Sequence, residues 1–271
     1  MSKKETRKAR PPILADKDHD APSVFHPENL LREARRQKGL KKGVVAPVCI
    51  LDPDGDLLQS LLAQGQARRD DRWACYHTTL YCFEHDGQEF GIIGCAVGAA
   101  FAVLLAEELF ACGCRLLISM TSAGQLVQRR PPPYFVLIEK ALRDEGTSYH
   151  YLPPAPFAEA DPALIERAEQ ALAGLGTPVL RGASWTTDAP FRETEAAIAA
   201  NRGRGLVAVE MEAAALYAFA RARRQPVLCF AHVTNQMGQI EGDFEKGAAN
   251  GAEDALQVIG AAARAGLGGT D

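Results

Sequence analysis

The feature that most constrains this chain is an alternation running from Val44 nearly to the end. Short runs rich in β-branched and aromatic residues are each followed by a stretch with Ala and Leu at helical spacing. Strands interleaved with helices bury their apolar faces in stacked layers, so the order predicts an α/β protein with helices packed on a central sheet. Val44 to Leu51 in GVVAPVCILDPDG reads as a strand ending in a turn, and the stretch from Trp73 to Val97 holds two strand-like runs around His85, Asp86 and Gly87, as in a hairpin. Ala99 to Cys112 predicts a helix that stops at Gly113, after which RLLISMTSAG supplies an apolar strand entering a loop of small residues. Further on come a helix over Pro162 to Leu175, a strand in TPVLRGASWTT, a helix beginning near Phe191, and a strand GLVAVE running into the helix MEAAALYAFARARR. A buried strand PVLCFAHVT and a closing helix from Asp243 to Ala265 complete the pattern.

The beginning differs. MSKKETRKARPPILADKDHDAP is basic, then Pro-rich and acidic, and predicts a flexible tail over residues 1–22 ahead of a single domain spanning 23–271. A Pro-started helix follows in SVFHPENLLREARRQKG. A formal net charge of -4 gives no general electrostatic reason to bind nucleic acid or an anionic membrane, and no apolar run reaches the roughly 20 residues needed to cross a bilayer. These readings point to a soluble, cytoplasmic protein acting on a small molecule. The seven cysteines form no CxxC pair or zinc-like spacing, so reduced core thiols and no metal are expected.

The chemistry concentrates where GLVAVE meets MEAAALYAFA, because Glu210, Met211 and Glu212 then sit at a strand-to-helix junction, where α/β folds bind ligands. Acids in a first helical turn also complement the helix dipole, so position alone leaves both readings open. VEMEAAALY resembles the ribose-binding signature of the nucleoside phosphorylases and their nucleosidase relatives. The resemblance implies a three-layer fold with a mixed, partly barrel-like sheet, and a ribose site in which Glu212 grips the sugar hydroxyls with Met211 against the ring and Glu210 in support. A carboxylate suits that place: breaking the bond to the base gives the sugar oxocarbenium character, and an acceptor at the hydroxyls orients the ring while stabilising positive charge.

SVFHPENL is similar to the VFH segment of uridine phosphorylases, which implies that His26 crosses into a neighbouring subunit's ribose site, in a homodimer or hexamer; a lone histidine is otherwise a surface or capping residue. ALRDEGTSYHYLPP and WTTDAPFRET resemble the segments flanking the family's base pocket, making Arg192 and Glu193 base-side candidates, though a solvated helix start explains them equally. Asn235 in CFAHVTNQMG is a candidate for holding the leaving base; an Asx turn competes. The resemblance favours a uridine-like pyrimidine nucleoside, with no organic cofactor.

Phosphorolysis needs inorganic phosphate as co-substrate, and a dianion needs charge-assisted donors, most naturally arginines. Here the family's pattern breaks. The early loop reads CILDPDGDLL, with Asp52 and Asp56 near the family's glycine and arginine; Ser119 stands near another arginine, and Tyr76 replaces the neighbour's. Gly98, opening a helix, and Thr121 and Ser122 in the small-residue loop are the remaining anion candidates; Arg72, Arg129, Arg130, Arg202 or Arg204 could substitute only if the fold brought one there. The reading is therefore a nucleoside phosphorylase, with a hydrolase using water as the alternative and a non-catalytic nucleoside-binding protein as a third.

Overall fold

The computed structural model describes residues 11–237 and 241–268. One sheet organises it. Strands β1 (Val48–Asp52), β2 (Arg68–Arg69), β3 (Tyr81–His85), β4 (Gln88–Gly94), β5 (Leu116–Gln125), β6 (Tyr134–Asp144), β7 (Phe157–Glu159), β8 (Val179–Thr187), β9 (Ala208–Glu210) and β10 (Val227–Asn235) run in the order β10-β6-β8-β9-β5-β1-β4-β3-β2, with β7 on β6. A further pairing of β10 with β5 closes the first five of these into a barrel, while β1, β4, β3 and β2 extend from β5 as an open wing. Pairing is mixed: β1 runs parallel to β4 and β5, whereas β6 opposes β10 and β9 opposes β5. The mixed, partly barrel-like sheet with helices around it matches the three-layer α/β architecture the sequence implied.

Helices cover both faces, as a sheet with two apolar faces requires. α1 (Pro27–Lys38), α3 (Ala99–Ala111) and α6 (Ala213–Arg223) pack together, while α2 (Asp56–Ala63) and α4 (Pro162–Leu172) pack on α7 (Ala252–Leu267); α5 (Glu195–Gly203) precedes β9. β1 and β10 are buried along their whole length, which explains why they read as continuous apolar runs rather than alternating ones. Pro27 sits in the first turn of α1, and Gly39 at φ 65° ends it. The predicted hairpin is present, β3 pairing antiparallel with β4 about Asp86 and Gly87.

Four boundaries moved. The strand predicted from Val44 starts at Val48, after Pro47. Near Phe191 the chain makes only a short 3-10 turn, Pro190–Arg192, and α5 starts later, where the Thr194 hydroxyl caps the Ala197 N–H. The closing helix begins at Ala252 rather than Asp243, because Gly247, Ala249, Asn250 and Gly251 all take positive φ and cannot continue a right-handed helix. The tail is placed from residue 11 on: a 3-10 turn over Pro12–Leu14 sets Ile13 beside Gly146, and His19 bonds the Tyr149 carbonyl at 3.1 Å.

Candidate active site

Val209 in β9 pairs with Gly124 in β5 and Asn235 in β10 faces the same glycine, so three strands of the barrel end together. A side chain at Gly124 would strike Met237 Sδ and Val209, which is why this crossing is bare. Glu210 and Glu212 leave β9 here, and both are buried. Their roles separate by hydrogen bonding. Glu210 turns inward: Oε1 accepts from Ser184 Oγ at 2.9 Å and Thr186 Oγ1 at 2.5 Å, and Oε2 accepts from the Glu212 and Ala213 N–H groups, each at 2.7 Å. Four donors leave it nothing to offer a sugar, so the expected ribose contact from Glu210 is corrected to a positioning role. It clamps the start of α6, and Thr186 completes the clamp by accepting from the Ala214 N–H at 2.9 Å.

Glu212 is held differently. Its Oε1 accepts from the Gly98 N–H at 2.7 Å and its Oε2 from the Met211 N–H at 3.3 Å, with the Thr121 hydroxyl as a further donor. Burial, then the neighbouring Glu210, pushes its pKa up to about 8. Glu210 is also raised by burial, while its four donors favour the charged form and work against that rise. The Gly98 N–H thus serves Glu212, which corrects its expected anion role. Gly98 has φ 95°, a conformation that strains any other residue, and this lets α3 open directly onto the carboxylate.

Beside this carboxylate the chain gathers acids. Ser122 Oγ lies 2.9 Å from Thr234 Oγ1, and both its side chain and its backbone bond Asp54, whose pKa burial raises. Asp52 caps the entry to α2, accepting from the Gly55 and Leu58 N–H groups at 3.2 and 2.9 Å, and burial lifts it to about 7. Lys246 reaches in from the far end of the chain to pair with Asp56, with Asp54 at 3.9 Å. Burial opposes its charge, but Asp56 and Asp54 outweigh burial and raise its pKa. Asn250 Nδ2 donates to Asp56 at 3.2 Å, fastening the same segment. None of the five arginines named from sequence pairs with this region among the described residues. Arg72 is tied to Asp70 and Glu89, Arg202 donates to the Leu126 carbonyl, Arg204 donates to Asn201, and Arg129 lines a groove elsewhere.

The remaining candidates divide. Asn235 forms the Asx turn, Oδ1 accepting from the Met237 N–H at 2.9 Å and Nδ2 donating to Thr234 at 3.2 Å, which leaves one amide hydrogen and one lone pair. Met211 is half-buried at the junction. Arg192 is exposed, while Glu193 is partly covered and raised by burial to about 7; neither has a bond to Glu212 or Asn235. His26 lies at the start of α1 in a groove with Phe25, Glu107, Phe110 and Arg223, on the outer surface. One chain therefore does not bring His26 to its own Glu212. His232 is stacked on Phe135 at 4.5 Å, and burial lowers it to about 4, as a neutral core ring. Sequence reasoning missed Lys246, Ser184 and Thr186. Lys246 sits in a glycine-rich stretch with no periodic pattern, and only the fold carries it to Asp56.

A model of the phosphorylase superfamily matches residues 47–264. The chain belongs to the phosphorylase superfamily. The match begins just before β1 and ends within α7, so the barrel, the wing and the site at their junction all lie within the superfamily domain. Among solved structures, superfamily members share the fold. A uridine phosphorylase from Vibrio fischeri, complexed with 6-hydroxy-1-naphthoic acid, is similar with TM-score 0.65 and 19% identity, over 86% of this chain and 96% of that one. A purine nucleoside phosphorylase from Toxoplasma gondii, in complex with immucillin-H, is similar with TM-score 0.69 and 17% identity, over 83% and 92% respectively. No curated protein matches the chain significantly in sequence.

Proposed function

We propose that this chain transfers the pentosyl group of a nucleoside from its base to inorganic phosphate, giving free base and pentose 1-phosphate. The observation that carries the reading is Glu212: a buried carboxyl at a strand end, oriented by Gly98, Met211 and Thr121, inside a superfamily domain. In the reaction the C1'–N bond breaks with its electron pair leaving on the base, and a phosphate oxygen bonds C1'. Positive charge grows on the sugar between those events. Ionised Glu212, accepting from the hydroxyls, stabilises that charge, and Glu210 fixes the loop from which it acts. Asn235's spare amide hydrogen serves the leaving base, with Glu193 and Arg192 on the base-side loop. Lys246, standing in for the absent arginines, receives the phosphate, and the Thr121 and Ser122 hydroxyls beside it join by turning from Glu212 and Asp54 to the anion. His26 closes the sugar pocket of a second copy, so the working unit is at least a homodimer.

A second reading puts water in place of phosphate. Asp52, Asp54 and Asp56 crowd the acceptor side against one ammonium, an arrangement that repels a dianion and suits deprotonation of water by Asp54. Incubation with uridine, inosine and methylthioadenosine, with and without phosphate, separates the two. Base release only with phosphate supports the first reading, release without it supports the second, and none from any nucleoside refutes both.

A further inference from the structure

Toward the start of β8, away from Thr186 and Glu210, lies a groove of about 810 Å³ between the middle of β6, β8 and the turn that enters β9. That volume is within the usual range for small-molecule sites. Phe157 and Leu180, both part-exposed, give it an apolar strip beside the bare backbone of Gly182 and Gly205, with Leu206 and Val207 buried beneath. Its rim carries four cations and one carboxylate, Glu139. Arg129, Lys140 and Arg204 line it, and among the described residues none of the three pairs with a carboxylate. Arg181, also on the rim, is different: Glu139 at 2.8 Å and Glu169 at 2.9 Å hold it. Two of the three free cations are already oriented, since Lys140 Nζ stands 5.2 Å from the centre of the Phe157 ring and Arg204 donates to Asn201 Oδ1 at 2.5 Å.

Such a cluster is unexpected in a chain with 34 acids and 30 bases. Mutual repulsion of three like charges around one hollow costs stability that a bound anion would return. We propose that this groove binds a nucleotide, its phosphates on Arg129, Lys140 and Arg204 and its flat base on the apolar strip beside Phe157. Inorganic phosphate alone would leave that strip uncovered, and a neutral nucleoside would leave the cations unmatched. A nucleic acid is disfavoured, because the net charge of -4 supplies no extended basic surface beyond this hollow. The groove shares no lining residue with the Glu212 site, so the proposal stands whether phosphate or water is the acceptor there.

Calorimetric titration of the full chain with ATP, adenosine and inorganic tripolyphosphate tests it, alongside Arg129→Gln/Arg204→Gln and Glu212→Gln variants whose folding is checked by circular dichroism. The expected result is saturable ATP binding that weakens about tenfold or more in the double arginine variant and persists in Glu212→Gln. Adenosine binding, by contrast, should be insensitive to the arginines. The proposal is overturned by wild-type protein that binds no ATP, by ATP binding that the arginine variant leaves unchanged, by ATP binding lost with Glu212, or by tripolyphosphate binding as tightly as ATP.

Discussion

Replacing Glu212 with glutamine keeps the shape of the side chain and removes its charge, which makes two opposite effects measurable in one variant. In catalysis, bonds from two sugar hydroxyls to an ionised acceptor are worth about 1.5–3 kcal/mol each, so their loss should lower kcat/KM by roughly 10²–10⁴. For stability the sign reverses. The folded pKa of Glu212, about 8, lies above its unfolded value, so its contribution is fully present at low pH and is lost as pH rises toward and through 8. Wild-type protein at pH 8 therefore carries a penalty on the order of 4 kcal/mol that glutamine, which does not titrate, escapes. Glutamine's carbonyl can still accept from the Gly98 N–H. Thermal unfolding should show Glu212→Gln melting above wild type by about 5 °C or more at pH 8, with the gap shrinking toward pH 5. Steady-state kinetics on the preferred nucleoside gives the other half. A variant retaining kcat/KM within about threefold of wild type, or one whose melting temperature falls at pH 8, would refute the reasoning.

Thr186→Val deletes a buried hydroxyl that donates to Glu210 and accepts from Ala214, and should cost about 1–3 kcal/mol in denaturant unfolding, with Thr186→Ser restoring most of it; equal stability of all three proteins would contradict the clamp. Lys246→Gln should raise the KM for phosphate by about tenfold while the nucleoside KM stays nearly constant, as initial rates against each substrate will show; a change confined to the nucleoside would place Lys246 outside the acceptor site. Asp52, raised to about 7 by burial, stabilises most below its unfolded pKa and progressively less as pH climbs through 7. Asp52→Asn should therefore be most damaging near pH 5, where it only loses a cap, and least damaging near pH 8; melting curves at both pH values decide. For wild type, the acid limb of kcat/KM against pH should rise toward 8 as Glu212 ionises, and a flat profile between 6 and 8 would argue that another group governs activity.

Local pattern was enough to place most elements, because strand and helix periodicities of 2 and 3.6 are written over a few neighbouring residues. β1, β3, β4, α3 and β10 could all be read within a few residues, and Pro27 and Gly39 marked the ends of α1. The same locality made Glu212 legible, since strand, junction and helix are contiguous from Gly205 to Arg223. Locality also explains the errors. Whether Ala249 and Asn250 continue a helix depends on what Asp56 and His232 ask of that segment, and both lie far away in sequence. Glu210 was expected in support at the ribose until β8 brought Ser184 and Thr186 beneath it, and Gly98 was an anion candidate until barrel closure aimed Glu212 at its N–H. The chain by itself determined most of the elements and the strand-to-helix junction that carries Glu212. Only the tertiary structure decided which partner each polar group received, since hydrogen bonds and charge pairs act over a few ångströms of space and are indifferent to separation along the chain.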